Sequence, residues 1–558
     1  MTQTDRSLSS LAVLAHRMSL AGLLAVTLPA VVQAQAAPPS ATEQPRFNVF
    51  EYRIDGNTVL ATQRIERAVY PHLGEGRTID DVEAARGALE QAYRGAGYGT
   101  VSVDIPPQKV DGGVVTLQVV EGKVSRLRVL GSRYYSQSRI LATVPSLAEG
   151  AVPLLPQVQK EMVAVNTSMD KRVTPLLRPG REPGTTEVDL QVEDEAPLHG
   201  NVELNNQHAA NSSPLRLVVG LRYVNLFQRE HTLGLTLQTA PGHTDEVKVL
   251  AANYSVPTGG GASLSASFVK SDSSSFVDGG ASGGVGVFGA GTITGLRWLR
   301  PLHGDNAQPE FSHNLTLGVD YKNFAQNVTL ASETGFATPI HYLPWTAGYS
   351  GFASDLGGTT EFGLSYVFAI RGVASSSAQD FENKRNKADP NFSLLKFNLG
   401  RTWLVGDGMQ LAARLDGQWT AQPLVSNEQF VAGGAASVRG YLESTAAADV
   451  GWRGSLEWRS GNLLGGSVAE PAEKGRVEAA PSEANLQARL YTEVARLRVL
   501  TPLPGSTSVF SLASVGTGLT LKPVSRVGLN LDVAWPLRAS TFQKAREPIA
   551  HASLSYEF

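Results

Sequence analysis

At 558 residues the chain exceeds one ordinary domain, and about two to four domains are expected. The 48 Lys and Arg residues nearly balance 51 Asp and Glu residues, which leaves no basic footprint for nucleic acid and no acidic tail. Cysteine is absent, which excludes disulfides, thiolate nucleophiles and cysteine metal sites, and suits a protein that crosses an oxidising compartment unfolded.

Residues 1–36 read as a secretory signal peptide: Arg6, His16 and Arg17 precede an apolar stretch from Leu20 to Val32, and Ala34-Gln35-Ala36 offers small residues for cleavage. That stretch is short of the roughly 20 residues a membrane helix needs, and no later segment supplies them. Residues 37–46 form a short linker.

Residues 47–122 and 123–196 read as two copies of a small α+β unit of about 75 residues, at the small end of domain sizes. In the first, Val49 to Ile54 is strand-like and ends at the turn Asp55-Gly56-Asn57. Thr78 with Asp81 can cap a helix whose Val82, Ala85, Leu89 and Tyr93 share one face, and strands follow at Thr100–Ile105 and Gly113–Val120. In the second, Val124–Leu130 is a strand, Ser138–Val144 and Gln157–Val165 can be helical, and Glu187–Val192 closes with a strand.

From residue 197 to residue 558 helical periodicity disappears. Segments of about ten residues alternate apolar with polar or small side chains, as transmembrane β-strands do. Leu411, Leu415 and Trp419 alternate with Gln410, Arg414, Asp416 and Gln418; Trp452, Leu456 and Trp458 with Arg453, Glu457 and Arg459; Leu529 and Leu531 with Asn530 and Asp532. Aromatic residues near strand ends (Tyr223, Trp403, Trp419, Trp535, Tyr556), the export signal and the terminal strand Ser553–Phe558 favour a closed membrane barrel over a sandwich. The expected fold class is a membrane β-barrel of about sixteen antiparallel strands behind two small α+β domains, located in the outer membrane with the α+β units in the periplasm. Terminal Phe558 would be read by the barrel assembly machinery. Long connections at Asn327–Ile340, Ala374–Asn391 and Gly461–Asn485 fit surface loops, since periplasmic turns should be short.

These residues resemble the outer-membrane transporters of two-partner secretion, the haemolysin and filamentous-haemagglutinin secretion/activation family. The first unit is similar to that family's first polypeptide-transport-associated (POTRA) domain in Ile54-Asp55-Gly56-Asn57-Thr58, Gly97-Tyr98, Ile105-Pro106-Pro107-Gln108 and Val119-Val120-Glu121-Gly122. The second is similar through Val129-Leu130-Gly131 and Thr174-Pro175-Leu176-Leu177-Arg178-Pro179-Gly180. The most specific match is Val438-Arg439-Gly440-Tyr441, introduced by Gly433-Gly434 between the eleventh and twelfth expected strands, where the family carries a loop folded into the barrel. The resemblance implies that the loop arginine meets an acidic residue on the thirteenth strand. Tyr491-Thr492-Glu493 stands here where the family has Phe-x-Asp, with Tyr491 and Glu493 on the lumenal face. Asp532, on the fifteenth strand, is a less favoured inward carboxylate. Lumenal water would screen the Arg439–Glu493 contact, leaving it about a kcal/mol, as for exposed pairs.

The resemblance further implies that an unfolded partner of adhesin or haemolysin type docks on the POTRA sheets, with Ile105, Pro106, Pro107 and Gln108 as docking residues, by adding as a strand. Its folding outside would drive export, since no nucleotide site is visible. A pore-plugging helix is not expected from the few Pro- and Ala-rich residues between Gln35 and Arg46. An assembly factor for other barrels, or a passive channel or uptake receptor, are the competing readings.

Gly284-Val285-Gly286-Val287-Phe288-Gly289 spells a dinucleotide fingerprint, and Gly280-Ala281-Ser282-Gly283-Gly284 a nucleophile elbow, without the strand–helix context either chemistry needs. The ten histidines show no ligand spacing. Neither an enzyme, a cofactor nor a metal is expected.

Overall fold

The computed structural model describes residues 45–558 except 211, 273–274, 278–284, 288–289, 303–309, 326, 329–335 and 466–483. The expected signal peptide, nearly all of the linker with its plug-helix question, the nucleophile-elbow spelling and half of the dinucleotide spelling therefore lie outside the described residues, and Val285–Val287 of the latter is a short strand.

The first module contains β1 (Phe47–Val49), β2 (Glu51–Asp55), α1 (Thr62–Val69), β3 (Gly74–Arg77), α2 (Ile79–Gly95), β4 (Ser102–Asp104) and β5 (Val114–Val120). Helix α2 starts where Thr78 donates both its backbone N–H (2.9 Å) and its hydroxyl (3.1 Å) to the Asp81 carboxylate. Negative charge in that first turn opposes the helix dipole. Val82, Ala85, Leu89 and Tyr93 form its buried face. The Tyr93 hydroxyl donates to Asn57 Oδ1 at 2.6 Å, and the same oxygen accepts the Leu60 N–H at 3.0 Å, so the buried phenol is satisfied by the turn after β2. Gly56 in that turn has φ +89°, and a Cβ there would stand 2.3 Å from the Val119 carbonyl oxygen. The Asp-Gly-Asn spelling is thus a steric and hydrogen-bonding requirement.

The second module repeats this arrangement with β6 (Lys123–Leu130), α3 (Gln137–Thr143), α4 (Leu155–Val165), β7 (Lys171–Pro179) and β8 (Thr185–Asp194). In each module the last strand lies central, parallel to the first and antiparallel to the one before it: β2-β5-β4 and β6-β8-β7. The correspondence extends to single atoms. Gly131, after β6, has φ +86°, and a Cβ on it would meet the Val192 carbonyl at 2.4 Å, as Gly56 meets Val119. Sequence reading missed α1, whose buried face holds only Ile65 and Val69, and β7, where Pro175 and Pro179 masked the strand. As an edge strand, β7 is where a sheet tolerates proline.

From Leu198 to Glu557 the chain forms a closed antiparallel barrel of sixteen strands, counting Ile340–Tyr342 and Pro344–Asp355 as one interrupted eighth strand. The sixteenth strand (Ile549–Glu557) returns to the first (Leu198–Asn205) with Ser553 opposite Asn205 and Glu557 opposite Asn201. Phe558 exchanges backbone hydrogen bonds of 2.9 Å with Gly200, over which its ring lies. Closure satisfies every strand edge, which lipid would otherwise leave unpaired. Alternation holds around the barrel: Leu415, Trp419, Trp452, Leu456, Leu490 and Leu531 are exposed toward lipid, whereas Gln418, Glu457, Glu493 and Asp532 are buried inside.

Strand parity corrects one expectation. The first strand leaves the second module, so connections after even-numbered strands share its end of the barrel. Those after the eighth and tenth are short turns at Asp355–Gly358 and Gly406–Met409. The twelfth strand (Val450–Arg459) ends and the thirteenth (Asn485–Arg498) begins at this periplasmic end, whereas the length of the Gly461–Asn485 connection suggested a surface loop. The seventh (Phe311–Phe324) and ninth (Gly358–Ala369) strands end on the external side. Their connections start there. The second of these holds a short helix, α5 (Ala378–Lys384), capped by Ser377 with Asp380. Its fully buried Phe381 packs with Phe392 against Tyr342, at ring separations of 5.6 and 5.8 Å, over an apolar cluster that includes Val249, Val269 and Ile293.

Candidate functional site

Between the eleventh strand (Met409–Trp419) and the twelfth, the chain folds back into the lumen. A short hairpin pairs Phe430–Ala432 with Ala446–Ala448, and its tip carries the Val438-Arg439-Gly440-Tyr441 segment. Gly433 and Gly434 adopt φ of +109° and +110°, and a Cβ on Gly434 would fall 2.1 Å from the Glu443 carboxyl, so this entry requires glycine. Val438 and Tyr441 are fully buried with Ala432, Ala446, Ala495, Leu497 and Leu512.

Arg439 is the centre of the site. Its backbone N–H donates to Glu493 Oε2 at 2.6 Å, and its Nε and Nη2 reach Glu493 Oε1 at 2.8 and 2.6 Å. Nη2 also donates to Glu457 Oε2 at 2.7 Å, and Nη1 lies 3.4 Å from Asp532 Oδ1. Arg459 holds the other Glu457 oxygen at 2.7 Å, and Arg489 holds Asp532 Oδ2 at 2.9 Å. Arg439, Arg459 and Arg489 therefore face Glu457, Glu493 and Asp532 in a charge-balanced network spanning the loop and strands twelve, thirteen (Asn485–Arg498) and fifteen (Val527–Pro536). Arg439 and Glu493 are only 8% and 4% exposed, so the expected screening by lumenal water does not apply. The contact is a buried ion pair, in which loss of one partner is costly.

The barrel wall is cut to receive this arginine. The Arg439 guanidinium carbon lies 3.3 Å from the centroid of the Tyr491 ring. That ring lies on Gly516, opposite it on the fourteenth strand (Val509–Val524), where a Cβ would come within 2.4 Å of the ring. Gly518, two residues on, gives the same room to Asp532: a Cβ there would be 2.0 Å from Oδ1. Gly440, at φ +92°, lets the loop approach the fifteenth strand (Val527–Pro536), and its N–H donates to His551 Nε2 at 3.2 Å. The Tyr441 hydroxyl donates toward the carbonyls of Arg538 (2.8 Å) and Ala513 (3.0 Å) and accepts the Ala513 N–H (3.2 Å).

Of the residues read from sequence, Val438, Arg439, Gly440, Tyr441, Tyr491 and Glu493 converge here, and so does Asp532, which ranked lower. Glu457, Arg459, Arg489, His551 and the two glycines were missed. The alternation marked Glu457 and Arg459 as lumenal, yet nothing local says which lumenal groups stand at the loop's height. Toward the strands of the opposite wall the loop leaves a lumenal cavity of about 790 Å³, lined by Arg216, Arg297, Asp320, Lys322, Lys396 and Asp416 among others.

Ile105, Pro106, Pro107 and Gln108 do not belong to this network; they form part of the connection between β4 and β5. Strand β4 pairs with β5 only at residues 118–120. Beyond that, the Gln108 carboxamide takes both backbone bonds of Thr116, donating to its carbonyl at 2.8 Å and accepting its N–H at 2.7 Å. A side chain thus stands where a neighbouring strand would.

The sequence pattern of the haemolysin secretion/activation proteins ShlB, FhaC and HecB matches residues 184–480, and that of the ShlB-type POTRA domain matches residues 47–122. Among curated proteins, the outer membrane transporter CdiB of Dickeya dadantii is 22% identical over 458 residues, covering 78% of this chain and 76% of that protein. The heme/hemopexin transporter protein HuxB of Haemophilus influenzae is 21% identical over 493 residues, covering 86% and 82%. Among solved structures, CdiB from Escherichia coli superposes with a TM-score of 0.60 at 19% identity, covering 94% of this chain and 92% of that one. BamA from Haemophilus ducreyi lacking POTRA domains 1–3 gives 0.53 at 14% identity, covering 92% and 100%. At these identities the superpositions speak for the fold.

Proposed function

The chain belongs to the haemolysin secretion/activation family, and from that premise we propose that its own lumen carries one large unfolded partner protein from the periplasm to the cell exterior, with the Arg439 loop as the movable closure. It is an outer-membrane transporter of the two-partner secretion type, with POTRA modules on the periplasmic side. The observation that carries the proposal is the lumenal network: a loop held inside a closed barrel by one arginine that bridges three strands.

Residues 47–122 and 123–196 receive the partner in this reading. An extended polypeptide can add to a sheet edge through backbone bonds without strict sequence demands. The Gln108 carboxamide on Thr116 supports a docking role for Ile105, Pro106, Pro107 and Gln108, because an incoming strand can displace a side chain that already occupies the ladder. The chain then enters the lumen while the Arg439 loop yields. Folding of the partner outside supplies the drive. An adhesin- or haemolysin-type cargo, and recognition of the Phe558 strand by the barrel assembly machinery, belong to the same proposal.

The test is deletion of the gene with proteomics of the culture medium and of the outer membrane. Loss of one large protein from the medium, with the membrane unchanged, is expected. Broad loss of barrels from the membrane would replace this reading with an assembly factor, and no change in either fraction would replace it with a passive channel.

A further inference from the structure

The turn between the second strand (Arg216–Leu226) and the third (His231–Thr239) takes no part in the lumenal network, and its backbone is unusual. Phe227, Gln228 and Glu230 have φ of +60°, +55° and +60°, and none of them is glycine. A left-handed backbone sets Cβ against the following carbonyl, and hairpin turns that need it ordinarily use Gly or Asn. Such strain persists only where the surroundings over-determine it, and it gathers at functional positions.

Here the surroundings are the second module. Gln228 donates its Nε2 to the Tyr134 carbonyl at 3.0 Å and accepts the Ser136 N–H on Oε1 at 2.9 Å. Asn225 orients that amide by donating to the same Oε1 at 3.0 Å. The clamped segment is itself rigid, since the Asp194 carboxylate accepts the N–H groups of Arg133, Tyr134 and Tyr135 at 2.9, 2.8 and 3.1 Å. Glu230 receives the Lys171 ammonium at 2.6 Å, and Lys171 is buried with its charge 4.9 Å from the centre of the Tyr135 ring. A third contact joins His199 of the first strand to Asp170 at 2.8 Å. Three separate attachments beside the covalent link at 195–197 fix rotation as well as position. Lys171 is also the first residue of edge strand β7, so pinning it sets the direction in which that edge leaves the barrel rim.

We propose that the strained Phe227–Glu230 turn is a docking cradle that locks the rotation of the second module at the barrel mouth, and that export depends on this lock. Gln228, Glu230 and Lys171 are positioning residues in this role. The inference goes beyond the transport reading, and its structural half stands without it.

Because the chain lacks cysteine, spin labels at Met169→Cys and Leu356→Cys, both fully exposed, report module-to-barrel distance in the full chain reconstituted in lipid nanodiscs. The parent is expected to give one narrow distribution. Gln228→Gly removes the amide clamp and relieves the strain at that position, so barrel heat resistance should hold as the distribution at least doubles in width. Secretion of the partner identified by gene deletion should fall at least fivefold. Should Gln228→Gly fail to assemble, Lys171→Met leaves the barrel sequence unaltered and carries the same expectation. A distribution as narrow as the parent's overturns the lock, and a widened one with undiminished secretion overturns its role in export. Absence of any partner protein in the medium would instead strike the transport reading and leave the distance result standing.

Discussion

Replacing Arg439 with alanine leaves Arg459 and Arg489 facing Glu457, Glu493 and Asp532, an excess of one buried negative charge. The docked loop can tolerate this by taking up one proton. From an ordinary glutamate value near 4.3, that uptake costs about 3.7 kcal/mol at pH 7, or roughly 500-fold in the docking equilibrium. The figure falls within the about 3–5 kcal/mol typical of breaking a buried ion pair. At pH 5 the same arithmetic leaves only about 1 kcal/mol, roughly fivefold. Cysteine introduced at Ala446, a buried residue of the loop hairpin, reads the equilibrium through its rate of modification by a soluble maleimide in the otherwise cysteine-free chain. Arg439→Ala is expected to accelerate labelling by about two to three orders of magnitude at neutral pH and only several-fold at pH 5, scaled to the thiolate fraction of an exposed control. The barrel should keep its resistance to unfolding on unheated gels. Equal rates in parent and variant, or an acceleration independent of pH, would refute the buried-charge reasoning.

Arg439→Lys keeps the charge but loses the planar fork and the ring stacking, so labelling should lie between parent and alanine variant; a rate equal to the parent's would argue against geometry. Gly516→Ala puts a methyl where the Tyr491 ring lies, 2.4 Å away in the parent, and should loosen the loop while leaving strands thirteen and fourteen paired, as the same labelling and gel assays report. Arg385, beside α5, donates to Asp449 at 2.6 Å and to the Leu424 carbonyl at 2.9 Å. Arg385→Ala should unfasten the external connection and raise single-channel conductance in planar bilayers, whereas unchanged conductance would remove it from the closure. In the first module, the Thr78 N–H holds the Asp81 carboxyl below the usual carboxylate range. The resulting stabilisation is present above the ordinary carboxylate pKa and is lost as pH falls through the depressed value. Asp81→Ala should therefore speed amide exchange at the start of α2 at neutral pH, and that difference should vanish in acid.

Much of this architecture was legible because it repeats short patterns. Period-two alternation assigned Tyr491 and Glu493 to the lumen, and a capping pair with a four-residue apolar face gave α2. What stayed hidden depends on distant pairing. Glu457 and Arg459 alternate correctly, but only strand stagger brings them to the height of Arg439. Gly516-Thr517-Gly518 reads as a weak strand until the register sets Tyr491 and Asp532 on its bare positions. The 460–484 connection was misassigned because length was used where only strand parity decides. The strained turn at Phe227–Glu230 carries no Gly or Asn within it, so no local spelling announces it.

The central claim, passage of a partner polypeptide through this lumen, is tested most directly by photo-crosslinking at adjacent residues of the tenth strand (Ser393–Gly406). Asn398 lines the cavity, and Leu399 is exposed toward lipid. A photoreactive residue at 398 should capture the large secreted protein during export, and one at 399 should not. Capture at both positions alike, or at neither while export proceeds, would contradict transport through the barrel.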